Sequence, residues 1–261
     1  MQIRFYKYHG TGNDFVMVDN RNNHLMRYQP KLYAHWCDRR FGIGADGVIL
    51  LQNKEGFDFE MVYYNADGFE GSMCGNGGRC AVAFAHKTGF FTGNYTRFYA
   101  VDGEHEAYID ELGEISLLMQ PVSTIHEEGG DFILNTGSPH YVKFVENVDG
   151  VDVLGQGRAV RYSPAFLEKG INVNFVEPVE GGIKVATYER GVEAETFSCG
   201  TGVVASAIAV AVKNGKLGNV NIVVHTKGGG LKVKLVNNHQ LFTDIWLQGP
   251  AAYVFSGEIS L

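Results

Sequence analysis

The chain has 261 residues, 45% of them apolar, and a formal net charge of -7. That length fits one large domain or two ordinary ones, with enough apolar content for a core in each. The negative balance argues against nucleic acid and anionic membranes as partners, and no apolar run approaches the roughly 20 residues that span a bilayer. The N-terminus is charged and strand-like, without a signal-peptide core, so a cytoplasmic location is expected. Along the chain, Ile3 to Tyr8 alternates as a strand does, and Pro30 to Asp38 reads as a short helix. Gly42-Ile43-Gly44-Ala45-Asp46-Gly47 fits the dinucleotide-binding pattern, but the next residues, Val48 to Leu51, read as a strand, not the helix that motif requires. Phe57 to Tyr64 alternates again. Ala81 to Ala85 and Val203 to Val212 are small and apolar on nearly every side, the pattern of a buried helix. A domain boundary is expected near Gln120 to Ser123, and Leu231 to Val236 is a late strand.

The chain repeats itself. Met73-Cys74-Gly75-Asn76-Gly77-Gly78 is answered by Ser198-Cys199-Gly200-Thr201-Gly202, each followed by one of the two apolar helices. Gly12-Asn13-Asp14-Phe15-Val16 has an echo in Gly137-Ser138-Pro139-His140-Tyr141-Val142. The offset stays between 123 (Gly68 to Gly191) and 126 residues (Lys87 to Lys213). Solenoid repeats run roughly 20 to 50 residues, so this period indicates a duplicated domain. Each half is expected to be a curved sheet wrapped round one central helix.

A cysteine at a helix N-terminus sits where the macrodipole favours a thiolate. Two such thiols facing one carbon would take a proton from one face and return one on the other. Cysteine suits both roles, because its ordinary pKa of about 8.5 can be tuned towards neutrality. The backbone N–H groups of Gly75, Asn76, Gly200 and Thr201 would hold an α-carboxylate between two helix N-termini and stabilise charge as it grows. Cys37 and Cys80 lack a glycine cradle and read as core or surface thiols. No cysteine or histidine spacing suits a metal, and no lysine is placed as for a Schiff base, so neither metal nor cofactor is expected.

His9 to Phe15, Asn65-Ala66-Asp67-Gly68, Cys74-Gly75-Asn76-Gly77, Pro139-His140, Glu189-Arg190-Gly191 and Cys199-Gly200-Thr201-Gly202 together resemble the diaminopimelate epimerase family, from about Arg4 to the C-terminus. The resemblance implies an α+β fold of two pseudo-symmetric domains. Each is a curved, barrel-like mixed or antiparallel sheet round a buried helix, with the active site in the cleft between them. The halves would be residues 1–120, with a strand at about 250–261 packing back onto them, and residues 121–249. The activity implied is cofactor-independent conversion of LL-2,6-diaminopimelate to the meso isomer, for lysine and peptidoglycan, by a homodimer. Cys74 and Cys199 would be acid and base, and His140 and Glu189 would set thiol protonation and help hold the reacting end. Asn13, Asn65, Asn172 and Arg190 would read the far amino-acid head group, although Asn174 is an alternative to Asn172 as the inward-pointing residue.

This chain departs from the family pattern in places. Ser138 stands where asparagine often precedes Pro-His, Gly47 stands where some members carry glutamine, and the run from Arg190 to Cys199 is one residue longer than in many relatives. Two other readings share the paired thiols: a proline or hydroxyproline racemase or epimerase, and a non-catalytic amino-acid-binding redox protein. The polar set Asn65, Glu189 and Arg190 suits a ring substrate with one carboxylate poorly.

Overall fold

The structure, a computed structural model, describes residues 2–239 and 241–260. The chain separates into two compact units, Met1–Leu117 with Gly249–Leu261, and Leu118–Gln248. The first contains β1 (Gln2–Gly10), β2 (Asn13–Asp19), α1 (Pro30–Cys37), β3 (Gly47–Lys54), β4 (Phe57–Asn65), α2 (Gly75–Lys87), β5 (Tyr95–Ala100), β6 (Gly103–Ile109) and β7 (Ile115–Met119). The second contains β8 (Ile125–Glu128), β9 (Asp131–Asn135), β10 (Pro139–Phe144), α3 (Val153–Arg161), β11 (Asn172–Val179), β12 (Gly182–Glu189) and β13 (Ala194–Thr196). It continues through α4 (Gly200–Lys213), β14 (Gly218–Thr226), β15 (Gly229–Asn237) and β16 (Phe242–Gly249), before β17 (Ala252–Ser260) returns to the first unit.

The duplication is written in the strand order. In the first unit the strands run β17–β1–β2–β3–β4–β5–β6–β7, with β2/β3 and β4/β5 parallel and the other neighbours antiparallel. In the second they run β8–β9–β10–β11–β12–β14–β15–β16, with β10/β11 and β12/β14 parallel and the rest antiparallel. The two patterns agree at every step. The short β13 is an addition, paired with β12 in the connection that leads to Cys199. Each sheet curves round its helix without closing into a barrel. The fold is α+β, with two pseudo-symmetric halves.

Both faces of the central strands are covered, which explains their unbroken apolar runs. In the first unit Val16, Val18, Val48, Leu50 and Val62 pack with Tyr33 and Trp36 of α1. The alternate residues point the other way, as the period of two requires. Ile49 and Met61, for example, are the neighbours of Gly77 on α2. In the second unit Val173, Phe175 and Tyr188 pack with Val153 of α3, whereas Val142, Val176, Ile183 and Val185 pack with α4. α4 is buried along almost its whole length, from Gly202 to Ala211. A helix this enclosed needs small side chains, and alternating alanine with valine and isoleucine supplies them.

Candidate functional site

Parallel pairing brings the starts of two neighbouring strands to one end of a sheet. Phe15 of β2 lies opposite Gly47 at the start of β3, and Gly47 lies opposite Asn65 at the end of β4. In the second unit His140 of β10 lies opposite Asn172 at the start of β11, and Val173 opposite Tyr188, one residue before Glu189 at the end of β12. The sequence-predicted positions Asn13, Asn65, His140, Asn172, Glu189 and Arg190 therefore gather at the equivalent end of their respective sheets. Each half also carries its cysteine at the N-terminus of its central helix.

Cys74 is the N-cap of α2, with extended backbone (φ -113°, ψ 149°), and its Sγ accepts a hydrogen bond from Gly77 N at 3.2 Å. A sulfur in that position completes one of the unpaired donors of the first turn. Asn13 Oδ1 lies 3.9 Å from the same sulfur and accepts from Asn76 Nδ2 at 3.4 Å. The orientation of the Asn13 amide is fixed from behind, because its Nδ2 donates to Asp46 Oδ2 at 2.8 Å. Asp46 and Asp14 share the Arg39 guanidinium at 2.7 Å each, and Lys7 Nζ pairs with Asp14 at 2.7 Å. Burial works against charge on Asp14, but the hydrogen bonds from Arg39 and Lys7 outweigh it and hold the carboxyl down at about 2. Asn65 is exposed at the end of β4, where it closes a turn with Gly68 and lies against Gly71. A Cβ on Gly47 would come within 2.4 Å of the Tyr63 ring and 2.5 Å of Tyr64 O, so a side chain here would force its neighbours to shift.

Cys199 is the N-cap of α4 and is 8% exposed. Its Sγ lies 3.5 Å from Thr201 Oγ1, which lies 2.9 Å from His140 Nε2. His140 is fully enclosed. On its other side Asn174 Nδ2 reaches Nδ1 at 3.1 Å, and Asn174 Oδ1 accepts from Thr187 Oγ1 at 2.9 Å. Because an amide nitrogen can only donate, Nδ1 is the acceptor and Nε2 carries the hydrogen. Asn172 Nδ2, 3.5 Å from Nε2, has nearer acceptors in Ser138 Oγ at 2.9 Å and Pro139 O at 3.2 Å. The Nε2 hydrogen thus goes to Thr201 Oγ1, and the Thr201 hydroxyl hydrogen is left to donate to the Cys199 sulfur. Burial first, and then the Arg190 charge, push the imidazole down to about 3, so it is neutral at physiological pH.

Of the two asparagines on β11, Asn174 faces His140, and Asn172 holds Arg190 by accepting from its backbone N at 2.9 Å. The Arg190 guanidinium donates to Lys169 O at 2.8 Å and lies 3.5 Å from Ser138 Oγ. Glu189 is half-buried. Asn174 stood in the sequence only as an alternative to Asn172, and Asp46 and the Thr201 hydroxyl carried no signal of a role, because each acts through a neighbour across strands. Arg79 carries a signal of its own in the sequence, a charged residue just before the small apolar run that ends at Ala85. Among the described residues, no group of three or more His, Cys, Asp or Glu side chains is placed to hold a metal ion, and no helix is long and apolar enough to cross a membrane.

Comparison with known proteins identifies the fold and the family. The fold is shared with solved structures of low sequence identity. One is a phenazine biosynthesis protein of the PhzF family from Bacillus anthracis (TM-score 0.77, 15% identity, covering 100% of both chains). Another is a hydroxyproline epimerase from Agrobacterium vitis (TM-score 0.70, 13% identity, covering 100% of this chain and 93% of that one). In sequence, the chain is 48% identical over 260 residues to the diaminopimelate epimerase of Flavobacterium psychrophilum, covering 98% of this chain and 100% of the relative. It is 41% identical to that of Chlorobaculum tepidum, covering 97% and 99%. The family model for diaminopimelate epimerase matches residues 5–125 and 132–254, nearly the whole of both units, and the chain belongs to the diaminopimelate epimerase family.

Proposed function

We propose that this protein is an isomerase that inverts one α-carbon of LL-2,6-diaminopimelate to give the meso isomer, with two thiols as base and acid. Beyond family membership, one observation carries the reading: a cysteine caps the central helix at the equivalent place in both halves of a duplicated fold. The reaction requires the two sulfurs to reach opposite faces of one carbon. A thiolate takes the α-proton, the C–H electron pair passes into the α-carboxylate, and the opposite thiol delivers its proton to the other face. The two sulfurs finish with their protonation states exchanged, so either can begin, depending on the isomer bound.

The N–H groups of Gly75, Asn76, Gly200 and Thr201 take the α-carboxylate and the charge that grows on it. His140 acts on Cys199 through Thr201. As a neutral donor it orients the Thr201 hydroxyl towards sulfur, which favours the thiolate without adding a competing base. Glu189 takes the reacting ammonium. Asn13, Asn65, Asn172 and Arg190 take the distal head group, Arg190 by its guanidinium and Asn172 at least in part by fixing Arg190. The product serves lysine and peptidoglycan synthesis. We further assign the protein to the reducing cytoplasm, where both thiols stay reduced, and to a homodimer.

The test is solvent exchange. Incubated with diaminopimelate in heavy water, the protein introduces deuterium at the α-carbon, and Cys74→Ala or Cys199→Ala abolishes net epimerisation, a loss of at least about 1,000-fold. Label in proline instead identifies a proline racemase. No label in either compound, from folded and reduced protein, overturns the catalytic reading.

A further inference from the structure

Arg79 is a fully buried cation without a carboxylate. It lies on α2, one turn beyond Cys74, and its side chain turns back towards the N-terminus of the helix. Nη1 donates to Gly75 O at 3.2 Å, and Nη2 to Asn76 Oδ1 at 2.9 Å and Thr11 Oγ1 at 3.3 Å, while Nε lies 3.4 Å from Pro250 O. All four partners are neutral, and among the described residues no acid pairs with the guanidinium. Burying an ion without a counter-charge is costly.

Among the described residues, the thiols of Cys80 and Cys74 are the ionisable groups whose charge acts on the guanidinium, and the carboxylates of this sheet end have cations of their own. Asp14 and Asp46 are matched by Lys7 and Arg39, and Glu60 on β4 pairs with Arg27 and Lys54. Tyr8 on β1 is pushed up to about 12, chiefly by burial, and stays protonated. Cys80, adjacent in the helix and completely enclosed, is raised still further by burial and is a neutral thiol. Cys74 remains, half-buried at the N-terminus with Gly77 N already directed at its sulfur.

We propose that Arg79 is the counter-cation of the Cys74 thiolate, a positioning residue that makes the anionic sulfur the resting form on this side of the substrate. Through its bonds to Gly75 O and Asn76 Oδ1 it also keeps the first turn of α2 in register with the sulfur. The two thiols are thereby tuned by different devices, Cys74 by a buried charge and Cys199 by the His140–Thr201 donor chain. This inference deepens the reading of Cys74 as an acid–base group, but its test needs no turnover and so fails or succeeds independently of it.

The test is site-resolved alkylation by iodoacetamide across pH, with Cys74 and Cys199 followed as separate peptides by mass spectrometry. In the unaltered protein Cys74 should show a midpoint at least about one pH unit below the ordinary thiol value of about 8.5. Arg79→Gln should raise that midpoint by about one pH unit or more, leave the Cys199 midpoint within about 0.3 unit, and be largely rescued in Arg79→Lys. An unchanged Cys74 midpoint in folded Arg79→Gln overturns the proposal, and so does an equal shift in both cysteines. If Arg79→Gln does not fold, the unaltered protein decides: a Cys74 midpoint at or above about 8.5 overturns it.

Discussion

At the scale of single residues, the surroundings of Cys199 are governed by a histidine that is neutral at physiological pH. His140 has its acceptor nitrogen occupied by Asn174 and its donor nitrogen by Thr201, and burial and the Arg190 charge both disfavour an imidazolium. This has a consequence for stability. The pKa of His140 in the folded protein is lowered to about 3 from 6.5, so below pH 6.5 the unfolded chain takes up a proton that the native state refuses. The stability from this group is therefore complete above about pH 6.5 and declines as pH falls, at about 1.4 kcal/mol per unit. Asp14 acts in a lower window, since its carboxyl is held down at about 2 and its contribution is lost only in stronger acid. Chemical denaturation at pH 7 and pH 5 should thus show a loss of about 2 kcal/mol that is absent in His140→Gln. An identical pH dependence in the two proteins would remove His140 as its source. The cysteines, His140 and Arg190 were legible in the sequence because they sit in short motifs with an internal echo. The choice of Asn174 over Asn172 as the partner of His140 and the role of the Thr201 hydroxyl were not, since they depend on register between strands: Asn174 reaches His140 because β10 and β11 run parallel with His140 opposite Asn172.

At the scale of elements, the glycines after each cysteine are as much about packing as about exposing N–H groups. Gly202 lies on α4 directly over Asn174, and a Cβ there would come within 2.3 Å of Asn174 Oδ1. That oxygen is bonded to Thr187 in a fully enclosed position, so it cannot move without releasing the amide from His140. Gly202→Ala should destabilise the protein by about 1–3 kcal/mol, as overpacking a tight interior does, and lower turnover at least about tenfold by disturbing the chain of donors to Cys199. Gly230→Ala, on β15 with open space around it, is the control and should stay within about 0.5 kcal/mol. Wild-type stability and turnover in Gly202→Ala would show that Asn174 is free to move. The helices themselves were readable, because a run such as Val203 to Val212, apolar on nearly every side, has no stable place except inside a sheet. The strands were readable in part: alternation marks β1 and β4, whereas β3, covered on both faces, shows only a continuous apolar run whose neighbours must be learned from the fold.

At the scale of the molecule, the two halves share a strand order but differ in their outer edge. The repeat period predicts that sharing, since an offset of about 125 residues carried through turns, cysteines and helices leaves little freedom for a different topology. The edge is not predicted by it. In the second unit the outer strand β8 is short, four residues of mostly polar sequence. In the first unit the equivalent strand is β17, nine residues long, paired with β1 on one side. It carries Tyr253, Val254 and Phe255 at 45%, 51% and 44% exposure. A long edge with consecutive exposed apolar residues invites pairing with another chain, and proteins that remain single normally blunt it with charge or proline. A homodimer that covers β17 accounts for its composition. Light scattering on the eluting protein at micromolar concentration should give about twice the 28.7 kDa chain mass, and Val254→Arg, which sets a charge on the edge, should shift it towards the monomer. Val254 stands at the irregularity in the β1–β17 register, so its replacement leaves the strand pairing in place. A monomeric wild-type protein, or a Val254→Arg dimer as stable as the original, would mean that β17 is not the contact.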